Sequence, residues 1–253
     1  MIERGVLVDY LDEYLAVAEV EDYCPNGLQV EGREEIRKVA TGVTACQALF
    51  DAALEWGADA VLVHHGLFWR STEMLRVVRS MRRRLASLLC NEVTLLAYHL
   101  PLDRHPEVGN NAVLARLIDA AEATPAFVHG GVPIGLSCQL AEPVPAEAFF
   151  ARITRIVGRE PLIIPGGPPE IRSLGIVSGA DPASAAVAAR SGHDLFLTGE
   201  PSEPMVHLAR EEGLHFVAAG HHATERFGVR ALGEHLAERF GLEVRFIDID
   251  NPV

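Results

Sequence analysis

The sequence predicts an α/β fold made of two similar lobes, and three observations carry that expectation. Helical and extended segments alternate along most of the chain, as in strand–crossover–strand units. A strand–helix–strand stretch recurs further along at a constant offset of 135 residues. Several short apolar runs stop directly at histidines or acids, at the strand ends where an open α/β sheet usually holds its ligands.

The N-terminal stretch "MIERGVLVDYLDEYLAV" is acidic and amphipathic, which predicts a helix over 2–19. A strand at 38–43, a helix at 45–56 and a strand at 59–63 follow. A helix over 74–90, a strand over 93–98 and a helix over 109–121 complete a first lobe. The glycines of "HGGVPIG" (129–135) are a weak breaker, and "IIPGGPPEI" (163–171) is a stronger one. The rest reads as helix 145–157, strand 173–178, helix 182–191, strand 194–198, helix 203–212, strand 215–219, helix 224–240 and strand 243–249. The expected lobes are 1–130, with the N-terminal helix, and 131–253 as its pseudo-repeat.

The repeat lays 36–65 over 171–200 without a gap. Three alanine matches carry little weight. The pairs Gly57/Gly192 and Asp59/Asp194, which precede an apolar strand in each copy, carry more. The alignment puts His64 and His65 opposite Gly199 and Glu200. The next strand of each half then ends in a histidine, His99 in "LLAYHLPLD" and His221 in "FVAAGHHATE". Each has an acid four residues on, so His99 is expected to correspond to His221 and Asp103 to Glu225.

In "ADAVLVHHGLFW", neighbouring strand residues point to opposite faces, so His64 and His65 share a site only if the strand ends there. Gly66 permits the turn. His221 and Glu225 share one helical face, whereas Pro101 is expected to keep His99 and Asp103 out of a regular helix. Imidazole and carboxylate together suit Zn, Fe, Mn or Co, and this inventory fits two ions sharing a carboxylate better than one tetrahedral ion. Ordinary alternatives stand beside this. Glu225 reads equally as a first-turn acid, Asp103 as a turn residue, and His99 as a buried histidine bonded to a carbonyl. His105, His129, His193, His207, His215 and His235 read as surface or packing residues without partners, and His222 as a supporting or substrate-contacting group.

Composition removes several classes. A net charge of −13 argues against nucleic-acid backbone binding. No apolar run approaches the ~18 residues of a membrane span, and the N-terminus lacks a signal pattern, so a cytoplasmic protein is expected. Cys24, Cys46, Cys90 and Cys138 are scattered, unlike a zinc knuckle or a disulfide framework. There is no P-loop and no G-x-S-x-G, and Lys38 is the single lysine, in a polar run unsuited to Schiff-base chemistry.

Together "PNGLQVEG", "VLVHHGLFW", "AYHLPLDRHPEVGNN", "TGE" and "AGHHATE" resemble the GTP cyclohydrolase 1 type 2 family, the NGG-interacting-factor-three-like proteins, from about Tyr23 to the C-terminus. The resemblance implies two similar packed α/β lobes with mixed sheets and a dinuclear metal site between the lobes. It implies His64, His65, Asp103, His221 and Glu225 as ligands, with His99 adjacent or ligating. It also implies a toroidal homohexamer whose sites face a central cavity open to a small-molecule substrate. The chain looks like the short form of the family. Where that family often has Asp directly before Asn-x-Gly, this sequence has "YCPNGLQV", which leaves one loop contact unassigned.

Two functions are expected from this site. One is a metal-dependent hydrolase of a nucleotide-like or phosphoester substrate, with Glu200 as the carboxylate for proton transfer. The other is a non-enzymatic metal-binding or scaffold protein. An amidohydrolase-type barrel is set aside, because it would want His-x-His after its first strand.

Overall fold

The computed structural model describes residues 1–70 and 76–253, and the chain divides into two compact units. The first unit holds Met1–Val108 and Gly228–Asp250, and the second holds Gly109–Phe227 and Asn251–Val253.

In the first unit β1 (Ile2–Glu3) leads into α1 (Arg4–Tyr14), and a 3-10 turn (Val17–Glu19) follows. Then come β2 (Gly27–Val30), β3 (Glu35–Ile36), β4 (Lys38–Thr44), α2 (Gln47–Trp56) and β5 (Ala60–His65). Next are α3 (Arg79–Leu89), β6 (Thr94–Ala97) and the short α4 (Leu100–Asp103). Of the helix expected over 74–90, residues 74 and 75 lie outside the described residues. Strands β4, β5 and β6 are parallel and almost wholly buried, which is why they read as continuous apolar runs rather than alternating ones. β2 joins β6 antiparallel, so the sheet is mixed.

The second unit opens with α5 (Asn110–Leu117) and the hairpin β7 (Ala120–His129)–β8 (Val132–Pro145). It continues through α6 (Ala146–Val157), β9 (Leu162–Ile164), β10 (Glu170–Ile176) and a 3-10 turn (Pro182–Ser184). Then follow α7 (Ala185–Arg190), β11 (Leu195–Thr198), α8 (Met205–Glu212) and β12 (His215–Ala218). Its sheet runs β7-β8-β10-β11-β12-β9, with the central β10, β11 and β12 parallel and the outer strands antiparallel. The last helix, α9 (His221–Phe240), starts in the second unit and ends in the first. β13 (Glu243–Phe246) then pairs parallel with β4 in the order β13-β4-β5-β6-β2.

The repeat is present at the level of hydrogen bonds. β4 pairs with β5 as Val39↔Ala60, and β10 pairs with β11 as Leu174↔Leu195, so both strands keep the offset of 135. In the first copy the Asp59 carboxylate accepts the amides of Arg37 (2.8 Å) and Lys38 (3.0 Å). In the second, Asp194 accepts those of Arg172 (2.8 Å) and Ser173 (3.0 Å). The likeness also extends beyond 36–65: helix, antiparallel edge strand and three parallel strands recur as α1-β2-β4-β5-β6 and α6-β9-β10-β11-β12.

The expected equivalence of the following histidines is one residue out. Ala60 pairs with Thr94 and Leu195 with His215, which aligns His99 with Gly220 rather than His221. The amide of Asp103 bonds the His99 carbonyl (3.1 Å) and that of Thr224 bonds the Gly220 carbonyl (2.9 Å), so Asp103 aligns with Thr224. Pro101 also does not prevent a helix. It sits at the second position of α4, where its missing N–H costs nothing.

The hairpin β7–β8 and strands β1, β2, β3 and β9 were not expected from the sequence. β7 is an edge strand, mostly exposed, and carries Pro125, so it lacks both alternation and strand propensity. Its turn is the Gly130-Gly131 pair that reads as a weak breaker. Each unit keeps its own cores. In the first, Leu7 and Leu11 of α1 pack with Leu62, Leu96, Val229, Leu232 and Leu236. In the second, Phe149 and Ile153 of α6 pack with Leu174, Leu195 and Val217.

Candidate metal centre

In the first unit β5 carries two histidines at its end. His64 is fully buried, and its Nδ1 lies 3.0 Å from the Tyr98 carbonyl oxygen. A carbonyl only accepts, so Nδ1 bears a proton. That Nε2 is 3.4 Å from Oδ2 of Asp103, the last residue of α4. His65 is half-buried and its Nδ1 is 3.1 Å from the Thr44 hydroxyl, its ladder partner on β4. His99 caps α4, with Nδ1 3.0 and 3.2 Å from the two Asp22 oxygens. One ring nitrogen each from His64, His65 and His99 lies within 4.8 Å of the others. Tyr23 and Trp69 stand edge-on to the His99 ring, at 5.0 and 5.3 Å between centroids.

Gly66 follows the pair for a reason other than a turn. It is not among the positive-φ residues; a Cβ there would come within 2.3 Å of the Gln29 amide group. Gln29 is itself held by the Leu67 amide (2.8 Å) and the Pro25 carbonyl (2.9 Å).

In the second unit His221 begins α9, and Glu225 follows one turn later, with Nε2 to Oε2 at 3.1 Å. Nδ1 of His221 lies 2.5 Å from Oε1 of Glu200, which follows the end of β11. Burial alone would lower the His221 pKa, but Glu225 and Glu200 outweigh it and hold it at about 9. The carboxylate of Glu225 rests against Gly179, where a Cβ would sit 2.2 Å from Oε1 at a φ of +71°. The loop around Gly179 is fixed by bonds from its amide to the Thr224 hydroxyl (3.0 Å) and from the Gly199 amide to its carbonyl (2.7 Å). The His222 amide bonds the Val253 carbonyl (3.0 Å).

Each unit thus gathers its own part of the donor set: His64, His65, His99 and Asp103 in the first, His221, Glu225 and Glu200 in the second. His64 rather than His99 is the histidine bonded to a carbonyl. Chemically the groups fit divalent cations. They combine imidazole and carboxylate, and the Nδ1 atoms of His64, His65, His99 and His221 each meet a second group, the kind of support that stands behind metal-ligating imidazoles.

Asp22, Thr44, Gly179 and Thr224 are site residues that sequence reasoning missed. Asp22 had a signal, since it stands four residues before Asn26 in the motif region, and Asn26 Nδ2 donates to it at 3.0 Å. Burial raises the Asp22 pKa, but His99, the Cys24 amide and Asn26 outweigh it and bring it to about 2.

The histidines expected to lack partners have them. His105 donates to the Tyr14 carbonyl (3.1 Å), His215 to the Pro168 carbonyl (2.7 Å), and His235 meets the Tyr10 hydroxyl (2.6 Å). His193 meets the Ser137 hydroxyl (3.2 Å), and His207 lies 4.0 Å from Glu203. Among the described residues no helix is long and apolar enough to cross a membrane.

Over residues 2–252 the chain matches the family described as Duf34/NIF3 (NGG1p interacting factor 3). It is 50% identical over 251 residues, 99% of both chains, to a Pseudomonas aeruginosa protein named "GTP cyclohydrolase 1 type 2 homolog". Among solved structures it is similar to the protein ybgI, described as of unknown function, with 46% identity, a TM-score of 0.94 and 100% of both chains covered. It is also similar to TTHA1606 from Thermus thermophilus, with 40% identity, a TM-score of 0.90 and 100% of both chains covered.

Proposed function

Because the chain belongs to the Duf34/NIF3 family, we propose that its two donor sets serve one dinuclear metal centre and that it is a metal-dependent hydrolase of a nucleotide-like or phosphoester substrate. The observation that carries the metal is the convergence of His64, His65 and His99 within 4.8 Å while the Nδ1 of each is engaged elsewhere. His64, His65, His99, Asp103, His221 and Glu225 are the proposed ligands, and Asp103 the carboxylate shared by both ions. Zn, Fe, Mn or Co suit these donors. When bound, paired divalent ions supply Lewis acidity to a phosphoryl or ring-amidine centre and draw the pKa of water towards neutrality.

Around them the chain's own groups have separate tasks. Tyr98, Thr44, Asp22 and Glu200 hold the four imidazoles in place through Nδ1. Glu200 is 38% exposed at its side chain and commits Oε1 to His221, so Oε2 is the proposed proton carrier. The nucleotide-like substrate rests on the name that the relatives carry.

Elemental analysis of the purified protein, followed by a nucleotide and phosphoester panel with and without chelator, tests this. Two ions per chain and a chelator-sensitive hydrolysis are expected. Asp103→Ala should lose both ions and His65→Ala should keep one. Full occupancy in Asp103→Ala removes the shared carboxylate. Stoichiometric metal without turnover favours the non-enzymatic metal-binding or scaffold reading.

A further inference from the structure

We propose that Asp22 is a positioning residue of the metal centre, whose carboxylate locks the His99 ring so that Nε2 is the donor offered to metal. The proposal rests on the reading of the site given above, but its first measurement does not need a metal.

The Asp22 side chain is 2% exposed, and every bond it makes points to the same task. Oδ1 accepts from His99 Nδ1 (3.0 Å) and from the Cys24 amide (3.0 Å). Oδ2 accepts from the Leu100 amide (3.0 Å), from Asn26 Nδ2 (3.0 Å) and, more distantly, from His99 Nδ1 (3.2 Å). Asn26 completes the clamp by accepting the His99 backbone amide at Oδ1 (2.7 Å). Side chain, own amide and following amide of His99 are therefore all tied to the 22–26 loop. An ionised carboxylate has no proton to give, so the proton of the pair stays on Nδ1 and the lone pair on Nε2. A carboxylate behind an imidazole also makes the far nitrogen a better metal donor, and such partners are worth about 10- to 100-fold in metal affinity.

The arrangement is more than a helix cap. The Leu100 amide alone would be satisfied by a single oxygen of any short polar side chain, and the remaining bonds would then be unnecessary. The second unit builds the same relation from unrelated residues, since Glu200 stands behind Nδ1 of His221 at 2.5 Å.

The test uses full-length protein with ¹⁵N-labelled histidine, first free of metal and then titrated with Zn²⁺ against a competing chelator. Wild type is expected to show His99 protonated at Nδ1. In Asp22→Ala the ring loses its acceptor, so the Nε2-protonated form should become populated and Zn²⁺ affinity should fall about 10- to 100-fold. Asp22→Asn, which keeps the volume, should fall between the two and carries the test should Asp22→Ala not fold. Glu21→Ala changes an exposed neighbour in the same loop that takes no part in the clamp, so it should keep the Nδ1 proton and stay within about threefold of wild-type affinity. An unchanged tautomer in both Asp22 variants, or equal loss of affinity in Glu21→Ala, would reduce Asp22 to a loop residue and overturn the proposal. A wild type that takes up no Zn²⁺ at all sinks the metal reading, while the tautomer comparison still decides the clamp.

Discussion

His64 and Gly199 occupy the same place in the two copies of the repeat, and the difference between them sets the division of labour. The first copy offers an imidazole there. In the second, a Cβ at Gly199 would lie 2.6 Å from the His221 Cα, so the side chain is given up to let the start of α9 approach. Gly179 is the sharper case. Gly179→Ala adds a methyl 2.2 Å from the Glu225 carboxylate at a φ of +71°. The expected outcome is about 1–2 kcal/mol of lost stability together with weakened metal binding; unaltered metal stoichiometry and affinity would contradict the placement of Glu225. His193 makes a second prediction. Burial lowers its pKa below 6.5, outweighing the neighbouring Asp194, which favours the charged form. The unfolded chain therefore takes up the proton more readily, and the folded state loses stability as pH falls through 6.5. His193→Gln should flatten denaturant midpoints measured between about pH 7 and 5, and an identical slope in the variant would assign the acid loss to other groups.

At the scale of elements the repeated aspartate is the clearest device. Asp59 and Asp194 each accept two backbone amides just before the stretch of the neighbouring strand, β4 or β10, that pairs with their own strand. This fixes the parallel register of β4 on β5 and of β10 on β11, where a slip would misplace every residue at the strand end. Charge-assisted bonds of this kind contribute roughly 1.5–3 kcal/mol each. Asp59→Ala and Asp194→Ala should each cost about 3 kcal/mol in denaturant titrations, and a loss under about 1 kcal/mol would show that strand packing alone sets the register. Asp59 also pairs with the half-exposed Arg33 at 2.9 Å, a contact worth little by itself at such exposure.

The molecule as a whole is not a simple succession of two halves. The first unit is completed by Gly228–Asp250, which supply Val229, Leu232 and Leu236 of α9 to its core and β13 to its sheet edge. A fragment ending near Pro165 keeps the strands that carry His64 and His65 but loses these groups. It is expected to lack a cooperative thermal transition and dispersed amide resonances, and a native-like spectrum from it would contradict the assigned core. The toroidal hexamer remains a proposal drawn from family likeness. Light scattering should then give six times the chain mass of 27.5 kDa, and a monomer at micromolar concentration would remove the cavity.

Read alone, the chain discloses the α/β class, the repeat and its offset, and the identity of the histidines and acids at the strand ends. It does so because buried parallel strands are continuous apolar runs, and because imidazole and carboxylate side chains interrupt such runs abruptly. The remaining features depend on contacts between distant segments. Asp22 meets His99 across 77 residues of chain, and Tyr98 and Thr44 reach His64 and His65 through strand pairing, so no local spacing could announce them. β7 was hidden because an exposed edge strand needs no apolar pattern. The return of 228–250 to the first unit was hidden because α9 runs unbroken while its buried residues change core, Ala223 belonging to that of the second unit and Val229 to that of the first. Which nitrogen each histidine offers depends on what stands behind its ring, and only the folded chain puts it there.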